Sequence, residues 1–168
     1  MTTTGRIELM APAGNFESLQ AAIDNGADSV YFGVEQLNMR ARATMNFTLE
    51  DLPEIARRCK EKNIRTYLTL NTIVYDHDLS IVKTLLQKAK DADLTAVIAS
   101  DQAVIAMART IGLEVHISTQ LNVTNIETVK FYALFADTIV LSRELSLRQV
   151  AKITEAIEKE QIKGPSGN

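Results

Sequence analysis

Arg40 and Arg42, with Asn46 close behind them, put two guanidinium groups and an amide on one short stretch of chain. A guanidinium keeps its charge and offers its N–H groups as a planar fork matched to carboxylate or phosphate, so this spacing fits an anionic ligand. The competing reading is two surface or helix-docking groups. Asn71, Gln120, Asn122 and Arg143 are further hydrogen-bonding side chains that follow apolar runs. His116 precedes Ser118 by two residues, the order of a serine–histidine nucleophilic pair. Alternate residues on one strand stand about 7 Å apart, beyond hydrogen-bond reach, so an interior histidine paired with Glu8 or Glu114 is the simpler expectation. Glu8 and Glu144 are the carboxylates available for acid–base work, expected at different depths.

Other chemistries find less material. All nine lysines fall in helical stretches or the tail, which disfavours a Schiff-base or pyridoxal-phosphate enzyme needing a lysine at a strand end. HExxH and GxSxG are both missing from the sequence. In Asp76-His77-Asp78, adjacent loop residues converge poorly on one ion, and helix capping by Asp78 is expected instead of metal binding. Cys59 is the sole cysteine, so this chain holds neither an internal disulfide nor an iron–sulfur cluster, and its simplest role is a buried filler.

These residues must be positioned by a repeating pattern of apolar strand and amphipathic helix. Strands are expected at 7–11, 29–33, 65–71, 96–100, 114–119 and 138–142, each followed by apolar residues at helical spacing. Thr48 with Asp51, Thr124 with Glu127 and Ser146 with Gln149 have capping-box spacing, while Gly26, Asn63 and Gly112 stand where helices should end. Strict βα alternation means a parallel sheet, either doubly wound or closed as a barrel. The first turn carries one glycine and lacks the dinucleotide fingerprint. Polar residues also fall on one face of each strand: Glu8 and Met10; Tyr67, Thr69 and Asn71; Glu114, His116, Ser118 and Gln120. A sheet covered by helices on both faces should be apolar on both, so a TIM-like (β/α) barrel with a partly polar interior is favoured.

The barrel is incomplete, with about six βα units of the eight that typically occupy about 250 residues. Residues 1–168 therefore read as one partial barrel domain, the N-terminal part of a longer protein, and its unpaired edge strands favour self-association into a homo-oligomer. Barrel chemistry sits at the C-terminal ends of strands. Pro12, Gly14, Tyr31, Asn71, Ser118, Gln120, Asn122, Arg143 and Glu144 belong there, with His116 and Glu8 lining the interior. The stretch from Val34 to Phe47, which holds Arg40, Arg42 and Asn46, far exceeds the usual two to six residues of a βα connection and is expected at the pocket rim. The charge of −3 gives no electrostatic footprint for nucleic acid but leaves room for a local basic patch. With no run of roughly 18 apolar residues and no apolar leader, a cytoplasmic location without membrane association is expected.

Several strings together resemble a known family. They are Glu8-Leu9-Met10-Ala11-Pro12-Ala13-Gly14-Asn15, Gly26-Ala27-Asp28-Ser29-Val30-Tyr31-Phe32-Gly33, Met39-Arg40-Ala41-Arg42-Ala43 with Asn46-Phe47-Thr48, Asn71-Thr72, Ser100-Asp101, His116-Ile117-Ser118-Thr119-Gln120 with Asn122, and Ser142-Arg143-Glu144-Leu145-Ser146. In this order and spacing the chain is similar to the N-terminal barrel of the collagenase-like peptidase family of unassigned mechanism. The resemblance implies a bacterial-type protein, either a collagen-degrading hydrolase acting on protein or a factor in oxygen-independent hydroxylation of RNA or quinone precursors. For the second activity it implies prephenate as donor, tRNA as partner and a four-iron four-sulfur cluster on four cysteines beyond the matched region. Hydroxylation of the tRNA-uridine type is the preferred expectation, peptidase the alternative and a non-catalytic binding domain the third. The fragment alone is expected to be inactive.

Overall fold

A computed structural model describes residues 7–34 and 47–167. Its strands are β1 (Met10–Pro12), β2 (Ser29–Phe32), β3 (Arg65–Leu70), β4 (Ala96–Ala99), β5 (Glu114–Ile117) and β6 (Thr138–Ile139). The helices that follow them are α1 (Phe16–Asp24), α2 (Leu52–Lys60), α3 (Leu79–Asp91), α4 (Gln102–Thr110), α5 (Ile126–Ala133) and α6 (Leu147–Glu160). The strands form one parallel sheet in the order β1-β2-β3-β4-β5-β6. A doubly wound sheet reverses its strand order at a switch point, and this sheet never does. The chain therefore winds in a single direction, as in a (β/α) barrel, with β1 and β6 as the two edges of a six-unit half-barrel.

The two faces of the sheet divide as the alternation of residue types requires. Val30, Phe32, Leu68, Leu70, Val97, Ala99, Val115 and Ile117 point outward and join Leu19, Leu52, Ile55, Val82, Leu85, Val104 and Val129 of the helices in the main core. Opposite them, Tyr67, Ala96 and Ile98 form a small separate cluster with Tyr31. Glu8, Met10, Arg65, Glu114, His116 and Thr138 line a cavity of about 240 Å³ on that inner side.

Local signals account for most helix boundaries. Asn15 and Ser18 form a reciprocal capping box at α1, in which Asn15 Oδ1 accepts from the Ser18 amide at 2.8 Å. Thr48 with Asp51 and Ser146 with Gln149 do the same ahead of α2 and at α6. Gly26, Asn63 and Gly112 adopt the left-handed backbone expected after a helix. The expected Thr124 cap is corrected by one residue: Asn125 caps α5, accepting from the Thr128 amide and hydroxyl at 3.0 and 3.1 Å.

The edge strands also differ from expectation. β1 begins at Met10 because the Leu9 carbonyl accepts from the Asp28 and Ser29 amides while the Leu9 amide is taken by the Asp28 carboxylate. β6 ends at Ile139, after which the Ser142 amide bonds the Val123 carbonyl and leaves the ladder. Each edge strand has one neighbour to hold it, so loop contacts decide where it stops. No helix among the described residues is long and apolar enough to cross a membrane.

Candidate functional site

The C-terminal ends of β5 and β6 bring the polar residues of two successive loops into one cavity. A 3-10 turn at Thr119–Leu121 follows β5, and Asn122 closes it in a left-handed conformation at φ 51°. Asparagine tolerates that backbone better than most side chains. This turn and the loop after β6 enclose about 210 Å³ lined by Thr119, Gln120, Asn122, Arg143 and Glu144. Ser118, almost fully buried, contacts Gln120 through its hydroxyl at 3.4 Å.

Glu144 is held in place by a short hydrogen bond from the Ser142 hydroxyl. That bond, the local backbone and the nearby Arg143 charge keep the Glu144 carboxyl below the usual carboxylate range against a smaller cost of desolvation. The cavity thus offers one guanidinium, two side-chain amides and a hydroxyl beside one ionised carboxylate. Such a set binds a small anion that also carries a hydrogen-bond donor.

A second polar cluster lies deeper, inside the sheet. Tyr67 donates to Glu8 at 2.6 Å, and Arg65 meets the other Glu8 oxygen at 2.5 Å. Burial alone would raise the Glu8 pKa. The neighbouring Ser29 hydroxyl, the Tyr67 bond and the Arg65 and His116 charges outweigh it and leave the carboxyl below its ordinary value. Ser29 Oγ is buried and faces this carboxylate without a hydrogen bond of ordinary geometry. His116 pairs with Glu114 at 2.8 Å and packs its ring 4.6 Å from that of Tyr67. Burial first and the Glu8 bond second push the Tyr67 phenol well above its usual value, so it stays a donor.

The residues singled out in the sequence therefore divide among several places. Gln120, Asn122, Arg143 and Glu144 share the rim cavity, while Ser118 does not line it and touches Gln120 through its hydroxyl. His116 and Glu8 belong to the inner cluster, and Tyr31 packs beside Tyr67 and Ile98. Asn71 lies past the end of β3, outside the rim cavity. Pro12 ends β1, and Gly14 donates its amide to the Ser18 hydroxyl at the start of α1. Arg40, Arg42 and Asn46 lie outside the described residues.

Arg65 and Tyr67 were missed as partners of Glu8, although their period-two placement on β3 puts both on the inner face. A larger hollow of about 580 Å³ sits at the opposite, N-terminal end of the sheet. Its charges are already matched, Lys60 to Asp93 at 2.6 Å and Lys90 to the Gly112 carbonyl at 2.8 Å, and barrel chemistry does not occupy that end. Cys59 is buried on α2, and desolvation pushes its thiol up to about 11. It suits neither a nucleophile nor a cluster ligand. No group of three metal-ligating side chains converges among the described residues.

The fold and the sequence have counterparts in known proteins. Over 161 residues the chain is 52% identical to a protein of Porphyromonas gingivalis (strain ATCC BAA-308 / W83) named collagenase, covering 96% of this chain and 39% of that one. It is 32% identical over 160 residues to tRNA hydroxylation protein P1 of Bacillus subtilis (strain 168), covering 94% and 38%. The chain thus spans under two-fifths of the length of either relative. The solved structure of the U32 peptidase Mk0906 shares the fold with a TM-score of 0.72 at 17% identity, over 92% of this chain and 67% of that one. Residues 14–162 match Peptidase family U32. With that match covering most of the chain, the rim cavity included, the chain belongs to peptidase family U32.

Proposed function

We propose that this chain is the substrate-pocket segment of a protein that hydroxylates RNA without molecular oxygen, at tRNA uridines, with a prephenate-like dicarboxylate as donor. The observation that carries the reading is the rim cavity, where Arg143, Gln120, Asn122 and Thr119 present donors to one small volume at the chemically active end of the barrel. A carboxylate-bearing donor needs such groups for binding and orientation. The relative named for tRNA hydroxylation supports the same direction.

Among the described residues, the groups a peptidase would use are engaged otherwise. His116 is bound to Glu114, Ser118 leans on Gln120, and the Cys59 thiol is buried. On this reading the redox chemistry comes from a four-iron four-sulfur cluster held outside these residues, because Cys59 does not fit as its ligand. The chain's own part is to bind and orient the donor.

The test uses the full-length protein in cells otherwise lacking it. Arg143→Ala and Gln120→Ala are each expected to lower hydroxylated uridine in tRNA about ten-fold, as loss of a hydrogen bond to a charged group implies. Nucleoside mass spectrometry reads the result. Arg40→Ala with Arg42→Ala tests the other arginines in the same assay. Undiminished hydroxylation in the Arg143 and Gln120 variants overturns the pocket assignment.

The 52% identity to a protein named collagenase favours a second reading, a peptidase acting on collagen. Purified full-length protein on denatured collagen, with and without a chelator, decides between them. Proteolysis that survives removal of the cluster supports the peptidase and overturns the hydroxylase.

A further inference from the structure

We infer that the loop after β3 is a stacking platform for an unpaired base of the RNA, flanking the nucleotide that is modified; this rests on the hydroxylation reading. Tyr75 and His77 lie on this loop with their rings 5.7 Å apart and 3° from parallel. Both are open to solvent, Tyr75 at 60% and the His77 side chain at 80%, and Ile73 beside them is 75% exposed. Three exposed flat or apolar groups on alternate residues are costly to leave in water unless something covers them.

The backbone beneath the rings is fastened on both sides. The Tyr75 amide donates to Asp78 at 3.0 Å and the Asp78 amide returns a bond to the Tyr75 carbonyl at 2.8 Å. The Val74 amide reaches Asp101, which also caps α4 through the Ala103 amide at 2.8 Å. Val74 itself turns inward onto the core. The rings are therefore presented by an anchored loop at the same end of the sheet as the rim cavity. The rim cavity is built from the loops after β5 and β6, two and three ladder steps along the same sheet from β3.

The shape of the platform favours a base over a peptide. A base needs one flat face, and aromatic side chains stack bases of any identity. A proline-rich segment docks in a groove between aromatic walls, whereas these two rings stack on each other and leave an outer face on which a base can extend the stack. Asp78 and Asp101 accept from backbone amides, and the other Asp78 oxygen stands 3.5 Å from His77 Nε2, so the carboxylate also steadies the ring, while Asp76 is exposed.

Tyr75→Ala, Tyr75→Phe and His77→Ala in the full-length protein test the platform, with a labelled single-stranded oligouridine as probe. Tyr75→Ala is expected to weaken binding about ten-fold, with His77→Ala smaller in the same direction and Tyr75→Phe within about two-fold of the original. Hydroxylation by Tyr75→Ala should show a raised KM for RNA with kcat retained. Oligouridine affinity unchanged in Tyr75→Ala overturns the platform, and if hydroxylation still depends on Arg143 the proposed function survives that failure. A loss that Tyr75→Phe shares also overturns stacking. Binding that needs Tyr75 in a protein that never hydroxylates RNA keeps the platform and overturns the function. Loss of gelatin binding with oligouridine affinity intact assigns the loop to a protein substrate instead. Because both side chains are exposed, an unchanged melting temperature is expected of every variant.

Discussion

Glu8 is the residue on which the inner face depends. Its carboxylate receives Tyr67 and Arg65, and their combined effect holds its pKa below the ordinary 4.5 despite burial. A carboxyl depressed in the folded state contributes stability above its unfolded value and loses it as pH falls through the folded one. Urea unfolding midpoints should therefore drop with acidification below about pH 4.5, as the unfolded value dictates. Tyr67→Phe should cost about 1 kcal/mol at pH 7 and make that drop shallower. Parallel pH profiles for the two proteins would refute the role given to Tyr67. The pairing of His116 with Glu114 was legible because both stand on one face of one strand. The Glu8–Arg65 bridge was not, because it runs from the segment just ahead of β1 past β2 to β3, and the sequence carries no register between strands. Gln120, Asn122 and Arg143 could be placed at the rim from their position after strands, while their convergence depends on how two separate loops fold toward each other.

At the level of elements, the helix ends were readable to within a residue, except that Asp78 starts α3 without the expected cap bond, its carboxylate accepting from the Tyr75 amide instead. Asn125, not Thr124, bonds the first turn of α5. Asn125→Ala should cost about 1 kcal/mol of stability while Thr124→Ala costs little, a difference that thermal or denaturant unfolding resolves. The misreading arose because Thr124-Asn125 offers two good capping types in succession, and only the direction of the chain leaving Val123 selects between them.

Gly164 shows a different constraint. A Cβ there would lie 2.6 Å from the Asp137 Cα and 2.8 Å from the Ala136 carbonyl. Asp137 also accepts from the Ser166 amide at 2.7 Å. Gly164→Ala is expected to cost about 1–3 kcal/mol and to release this turn, because backbone atoms cannot yield as a side chain can. Faster amide exchange at Ser166 would report that release.

For the whole molecule, the singly wound order followed from strict alternation together with polar residues confined to one strand face, both plain in the sequence. The extent of the edge strands was not, since β1 and β6 are fixed by contacts on one side only. Their surroundings expose Ile7 at 90%, Leu9 at 56% and Val140 at 37%. Open edges with apolar neighbours recruit further strands. The 168-residue chain by itself is therefore expected to self-associate, and Ile7→Lys with Val140→Lys to suppress this in sedimentation velocity. A monomer at all concentrations would count against it.

The bond from Tyr67 to Glu8 joins residues 59 positions apart and crosses the concave side from the segment leading into the first strand to the third. It can close once barely seventy residues have left the ribosome, before β4 exists. The nascent chain then already holds a brace that sets its bend, and each later strand needs only to dock on the one before it. Such growth from one end, with partners near in sequence, keeps the entropy of closing loops small and leaves little time for a bare edge to find the wrong mate.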